Sequence, residues 1–124
     1  MQRLILATAL SLASGSVLAV GLGITCDKPE YLQLKTADKA ELQQEFCRTT
    51  RMYTLNMKLQ RDARAAITTS STPEAAKRQF AELDEYLNSA LTCSKASAEF
   101  AGALQRRFKT KAPSDKICLS PGGI

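Results

Sequence analysis

The feature that most constrains the fold is a break in helical character at residues 68–73, Thr-Thr-Ser-Ser-Thr-Pro. Five hydroxyl-bearing residues in a row, three of them β-branched threonines, are unfavourable inside a helix. Thr72 can cap a new helix, Pro73 has the fixed φ suited to its first position, and Glu74 would complement its positive end. The segment therefore predicts that one helix ends here and another begins.

Four cysteines are arranged almost symmetrically about this break. Cys47 precedes Ser70 by 23 residues and Cys93 follows it by 23. Cys26 and Cys118 lie 44 residues before and 48 residues after the same point. We therefore predict an all-α fold, an antiparallel helical hairpin of two long helices stapled by two disulfides. A dimer of such hairpins would form a four-helix bundle.

The pairing of the four cysteines has more than one solution. The symmetry of the hairpin favours a nested pattern, Cys47 with Cys93 and Cys26 with Cys118. On a helical wheel, however, Cys47 projects away from the predicted contact face and Cys93 lies on its shoulder. The two would then either bridge along the flank of the hairpin, or each would bond to a terminal strap instead. No C-x-x-C spacing supports a redox motif or a zinc knuckle.

Both long segments carry the periodicity of a helix. Asp38 and Glu41 have capping-box spacing, so the first helix is predicted from about Asp38 to Ile67, and the second from Pro73 to about Lys109. Apolar and small residues alternate in steps of three and four, as in a coiled-coil seam. The predicted seams are Leu42, Phe46, Thr49, Tyr53, Asn56, Gln60, Ala63 and Ile67, and then Phe80, Leu83, Leu87, Ala90, Ser94, Ser97, Ala101, Leu104 and Phe108.

The position of the turn also predicts the register of the two helices. If the chain folds back at Ser70, residue i faces roughly residue 140 − i, which places Phe46 opposite Ser94. Such large-to-small matches favour close packing of the seams. A flanking row on the first helix is left to be covered by the terminal segments or by a second copy: Met52, Leu55, Leu59 and Ala66.

Residues 1–25 have the pattern of an export segment. Arg3 supplies a positive start, residues 4–13 are apolar, and residues 17–19, Val-Leu-Ala, resemble a signal-peptidase site. The alternative is an uncleaved membrane anchor, because residues 4–24 carry no charge and are long enough to span a bilayer. Paired cysteines in a short chain favour export in either case.

These signals divide the chain into consecutive segments. We predict a signal peptide over 1–19 (or an uncleaved anchor over 1–25), followed by an irregular N-terminal strap over 20–35. The helical hairpin covers 36–111, with its turn at 68–72. A C-terminal strap and tail over 112–124 complete the chain.

No constellation of catalytic or metal-binding residues is visible. The chain has no histidine, which removes the commonest general base and the usual zinc ligand. Glu82, Asp84 and Glu85 point to different sides of a helix and are expected to be solvated. Asp27 and Asp115 lie near the outer cysteines but support no mechanism on their own. We expect a protein that is not an enzyme and that needs no cofactor and no metal.

A basic patch ends the second helix, where Arg106, Arg107, Lys109 and Lys111 surround Phe108. Cations at this position complement the negative end of a helix dipole. A hairpin would also return the patch to the same end as the N-terminal segment. Beside a membrane anchor it would face anionic headgroups, and in a cleaved protein it would suit an acidic protein or envelope polymer. Nucleic acid is not an expected partner.

The leading functional prediction is an exported, non-enzymatic helical protein that acts through protein–protein contacts in the bacterial periplasm or cell envelope. It would serve as an adaptor, an inhibitor or a small subunit of an envelope assembly, with a protein partner or as a homodimer. The layout, an apolar N-terminus before a helical region with cysteines, resembles phage spanins and antiholins. That resemblance implies the alternative of a membrane-anchored envelope or lysis factor, and it carries over no site residues.

Overall fold

A computed structural model of the chain describes residues 23–67 and 72–121. These residues form four helices, and no strand is found among them: α1 (Tyr31–Thr36), α2 (Lys39–Ile67), α3 (Pro73–Phe108) and α4 (Asp115–Leu119). The prediction of an all-α protein with two long helices and two disulfides is confirmed. The predicted signal peptide and residues 68–71 of the predicted turn lie outside the described residues.

Caps confirm the predicted starts of both long helices and the predicted end of α3. The side chain of Asp38 accepts a hydrogen bond from the backbone N–H of Glu41 at 2.8 Å, where α2 begins. Thr72 accepts one from the N–H of Ala75 at 3.1 Å, directly before Pro73. Lys109 ends α3 in the left-handed conformation, with φ at 53°, as is common after a helix.

Helices α2 and α3 pack against each other over much of their length. The hydroxyl oxygens of Thr49 and Ser97 lie 2.6 Å apart, and the amide nitrogen of Asn56 lies 3.8 Å from the sulfur of Cys93. The predicted register is wrong, because it placed Thr49 level with residue 91 rather than Ser97. The observed partner of Thr49 lies six positions further along α3 than the predicted one.

The buried face of α3 is rotated relative to the predicted seam. Phe80 and Leu87 were expected to face α2 but are 57% and 42% exposed. Phe100 and Cys93 are buried instead. The reason is that α3 packs against the N-terminal strap as well as α2, and the strap takes the side that carries Cys93. Buried residues of α3 are Tyr86, Ser89, Ala90, Cys93, Ala96, Phe100, Ala103 and Leu104.

The seam predicted for α2 agrees better with the structure. Leu42, Thr49, Asn56 and Gln60 are all buried. Phe46, Ala63 and Ile67 are half-buried, and Tyr53 is exposed, with 38% of its surface accessible. Three of these buried residues, Thr49, Asn56 and Gln60, are polar. The part of the α2–α3 contact that they occupy is therefore stabilised by hydrogen bonds as well as by apolar packing. The apolar core lies toward the other end, around Leu42, Phe100, Leu104, Ala37, Ala96 and Ala103.

The nested disulfide pattern is wrong. Cys26 is bonded to Cys93, and Cys47 is bonded to Cys118. Each helix cysteine therefore bonds to a terminal segment, which is one of the two alternatives suggested by the helical wheel. The physical reason is that Cys47 and Cys93 do not project toward each other across the α2–α3 contact. The two disulfides join cysteines 67 and 71 residues apart in the sequence. By reducing the entropy of the unfolded chain, each disulfide contributes about 4 kcal/mol to the free energy of unfolding.

Both straps contain short helices, so the expectation of an irregular N-terminal strap is wrong for Tyr31–Thr36. Helix α1 packs against α3, and α4 packs against α2. A hydrogen bond of 3.2 Å from Arg51 to the carbonyl oxygen of Cys118 supports the second disulfide in holding α4. The straps thus cover one flank of each long helix and determine which side chains remain exposed.

Candidate functional site

The N-terminal strap is held in the groove between α2 and α3 by polar contacts. Asn56 forms two hydrogen bonds with the backbone of Ile24, each 2.8 Å long. The hydroxyl of Thr92 accepts a hydrogen bond from the backbone N–H of Cys26 at 2.9 Å. Gly23 has a φ of 117° and lies close to Asn56 and Ser89. The only sign of this arrangement in the sequence is a polar residue, Asn56, on the predicted seam.

A second surface is a row of exposed apolar residues on α3. Phe80, Leu87 and Leu91 are 57%, 42% and 51% exposed, and Leu83 is half-buried between them. Steps of seven and four residues place them on one side of the helix. We call Phe80, Leu83, Leu87 and Leu91 the α3 apolar face. Four large apolar side chains at this spacing, three of them exposed among the described residues, are typical of a contact surface.

The α3 apolar face lies on the side of the helix away from the N-terminal strap. At about 100° per residue, Leu91 is roughly 160° around the helix axis from Cys93, which bonds to the strap. Tyr53 of α2, near Ser94 and Ser97 of α3, adds a partly exposed aromatic ring on the other helix. Phe80, Leu83 and Leu87 were predicted to face α2 inside the hairpin, and Leu91 was outside the predicted seam, so this exposed surface was not predicted.

The basic patch of Arg106, Arg107, Lys109 and Lys111 lies at the end of α3. Arg107 donates a hydrogen bond of 3.1 Å to the carbonyl oxygen of Leu34, and its guanidinium lies 4.7 Å from the centre of the Phe108 ring. Lys109 donates to the carbonyl oxygen of Arg106 at 3.3 Å, which caps the helix end. Within the described residues, no carboxylate forms an ion pair with any of these four cations.

Helix α1 extends the basic patch with exposed apolar surface. Tyr31 and Leu32 are 72% and 67% exposed. Lys35 donates to the Tyr31 hydroxyl at 3.1 Å, and its ammonium lies 5.1 Å from the centre of the Tyr31 ring. Tyr31 and Lys35 share a groove with Arg106 and Arg107. This end of the molecule therefore combines cations with exposed aromatic and aliphatic side chains.

The predicted proximity of the basic patch to residues 1–22 concerns a part of the chain outside the described residues. The first described residue, Gly23, is close to Ser89 on α3. Ser89 and Arg107 are 18 positions apart, which corresponds to about 27 Å along the helix. From Cys26 to Gly23 the strap also runs away from the basic patch. Gly23, the first described residue, is therefore not beside the basic patch.

The acidic residues do not gather into a site. No group of three or more potential metal ligands is found among the residues that the structure describes. Asp84 and Glu85 are exposed, as expected for a solvated face, and Glu82 is half-buried. Burial, together with the nearby negative charge of Glu82, raises the pKa of Tyr86 above its usual value of 10.0. Asp27 and Asp115, on the two straps, border separate shallow grooves.

Comparison of the chain with models of protein families, with curated proteins and with solved structures finds no match. Among residues 23–67 and 72–121, no helix is long and apolar enough to cross a membrane. The two surfaces of the described residues that could bind a partner are the α3 apolar face and the basic patch.

Proposed function

We propose that the protein is an exported, non-enzymatic helical protein that acts through protein–protein contacts in the bacterial periplasm or cell envelope. It would be an adaptor, an inhibitor or a small subunit of an envelope assembly. The observation that carries this proposal is the α3 apolar face. Exposing Phe80, Leu87 and Leu91 in a row is unfavourable for an isolated molecule in water, and a protein partner would remove that cost.

The two disulfides support the exported part of the proposal. Disulfides form and persist in oxidising compartments, and small exported domains use them to compensate for a limited core. In this chain both bridges fasten a strap to a long helix. The pattern of residues 1–19, which resembles a signal peptide, points to the same compartment. A rigid, stapled scaffold would present the α3 apolar face with little loss of conformational entropy on binding.

We also propose that α2 and α3 form an antiparallel hairpin. The order of contacts supports this arrangement, because Thr49 lies near Ser97 while Asn56, further along α2, lies near the earlier Cys93. Such a hairpin places the α3 apolar face along one long side of the molecule. The basic patch is then at one end, separated from the contact surface.

A site-specific cross-link in the native cells tests the proposal. A photo-reactive residue would replace Leu87, and the matched control would carry it at Glu85, which is also exposed on α3 but points away from the α3 apolar face. We expect a discrete adduct to a protein from position 87 and none from position 85. Absence of adducts from position 87, or equal adducts from both positions, would contradict the proposal.

The second candidate is a membrane-anchored envelope or lysis factor, similar in layout to phage spanins and antiholins, with a basic patch that faces lipid. Two observations favour this candidate. The four cations of the basic patch form no ion pair with a carboxylate among the described residues, and Tyr31 and Leu32 beside them are exposed. Cations attract anionic headgroups, and exposed aromatic and aliphatic side chains can enter the interfacial region.

Liposome binding distinguishes this candidate from the first. The patch variant changes Arg106, Arg107, Lys109 and Lys111 to Gln, and a control with the same loss of charge changes Arg61, Arg64, Lys77 and Arg78, all exposed. Each cation is worth roughly 1 kcal/mol at an anionic surface, so only the patch variant should lose more than about a hundredfold in affinity. Equal binding by both variants would reject the lipid-facing role.

A further inference from the structure

We propose that the occupant of the α3 apolar face is a second copy of this chain, packed antiparallel about a two-fold axis level with residue 89. This inference rests on the proposed function and names the partner for it. In such a pairing, the same surface is used by both copies, as in most homodimers. The sequence places complementary residues on either side of the proposed axis.

The apolar side chains match across this axis. Leu87 of one copy lies level with Leu91 of the other, and Phe80 lies level with Ala98. Ala98 is exposed, so its small side chain leaves room for the phenyl ring of the second copy. Large residues opposite small ones allow two helices to approach without voids. From Phe80 to Ala98 the contact would extend over about 27 Å of helix.

Charge complementarity selects the antiparallel orientation. Asp84 and Lys95 are both exposed, and eleven positions correspond to slightly more than three whole turns, so they border the same edge of the α3 apolar face. In an antiparallel pair, the same edges of the two helices meet. With the axis level with residue 89, Asp84 is level with residue 94 of the second copy, one position from Lys95, so the two charged side chains are neighbours and the pair occurs twice. Neither side chain is in an ion pair among residues 23–67 and 72–121.

A competing occupant is the apolar segment that precedes Gly23. The strap positions Gly23 beside Asn56 and Ser89, in the groove between the long helices. Leu91 lies roughly 160° around α3 from Cys93, which faces that groove. The N-terminal segment would thus have to pass around a helix to cover the α3 apolar face, whereas a second copy can approach it directly.

Sedimentation equilibrium of the full chain, expressed with its disulfides intact, tests the proposal. We expect an average mass that rises with protein concentration and approaches twice the mass of a single chain. Asp84→Lys and Lys95→Asp should each raise the dimer dissociation constant roughly tenfold, and the double exchange should restore it. Glu85→Lys is the matched control, because it makes the same charge change on the same helix away from the proposed contact.

Leu91→Lys extends the test to the apolar contact, with Ala81→Lys as its control on another exposed side of α3. We expect a monomer for Leu91→Lys and an unchanged dimer for Ala81→Lys. Circular dichroism and mass without reduction will check that each variant is folded and bridged. A wild-type monomer at all concentrations overturns the proposal, as does a dimer insensitive to both Asp84→Lys and Leu91→Lys.

Cross-linking from position 87 distinguishes failure of the dimer proposal from failure of the proposed function. A monomer that still cross-links from position 87 to a different protein would reject the second copy and retain a role in protein contacts. A monomer that cross-links from position 87 to its own residues 1–22 would reject both.

Discussion

Asn56 holds the backbone of Ile24 through two hydrogen bonds, accepting from its N–H and donating to its carbonyl oxygen at 2.8 Å each. The Asn56 side chain is fully buried, so these bonds satisfy an amide that would otherwise be costly to remove from water. They also hold the N-terminal strap in place beside the disulfide between Cys26 and Cys93. One polar residue on α2 therefore connects helix packing with the position of the chain terminus.

Asn56→Ala should lower the free energy of unfolding by about 2 kcal/mol, because the backbone groups of Ile24 lose their partners in a partly buried site. Urea unfolding followed by circular dichroism measures the change. Asn88→Ala is the control, since Asn88 is exposed on α3 and its replacement should alter stability by less than about 0.5 kcal/mol. Equal effects of the two variants would contradict the proposed role of Asn56.

The two described glycines should respond to alanine with opposite signs. At Gly23, φ is 117° and an added Cβ would lie 3.0 Å from atoms of Asn56 and Ser89, so Gly23→Ala should destabilise by about 1–3 kcal/mol. At Gly102, inside α3, the added Cβ would meet only the flexible end of Arg106, and alanine favours the helix. Gly102→Ala should stabilise by up to about 1 kcal/mol. Thermal unfolding of both variants provides the comparison.

Thiol titration should report the disulfide connectivity. The double variant Cys26→Ser with Cys93→Ser removes one bridge and should leave no free thiol. The variant Cys47→Ser with Cys93→Ser removes one partner from each bridge and should leave two free thiols. The nested pattern expects the reverse outcome. Loss of one whole bridge should cost about 4 kcal/mol of stability.

Tyr86 should make the fold sensitive to alkaline pH. Its pKa is raised in the folded protein, first by burial and then by the charge of Glu82, so the unfolded chain loses the proton at a lower pH. Stability from this group is therefore intact below pH 10.0 and falls as pH rises through the folded pKa. Urea unfolding at pH 9 and pH 11 should show a smaller alkaline loss for Tyr86→Phe than for the wild type. An equal loss would contradict this origin.

Local signals in the sequence predicted the helices well. Thr72 with Pro73, and Asp38 with Glu41, act on the chain within one turn, so their effect does not depend on the rest of the fold. The caps that these residues form in the structure follow directly from their spacing.

The contact between the helices was harder to predict. Helix α3 carries apolar residues on two sides, one with Cys93 and Phe100 and the other with Phe80 and Leu87. Periodicity alone does not say which side faces α2. The choice depends on the straps, which are distant in sequence and are joined to the helices by disulfides. The α3 apolar face was missed for this reason, since a heptad pattern looks the same in a hairpin and in a dimer.

We propose that the chain works as an exported, disulfide-stapled protein. The most direct test is the intact mass of the protein from its native compartment, measured with and without reduction. We expect the mass of residues 20–124 in the soluble exported fraction, four hydrogens lighter before reduction because of the two disulfides. A full-length chain in the membrane fraction would instead favour the anchored alternative. Free thiols in the native protein would contradict the account.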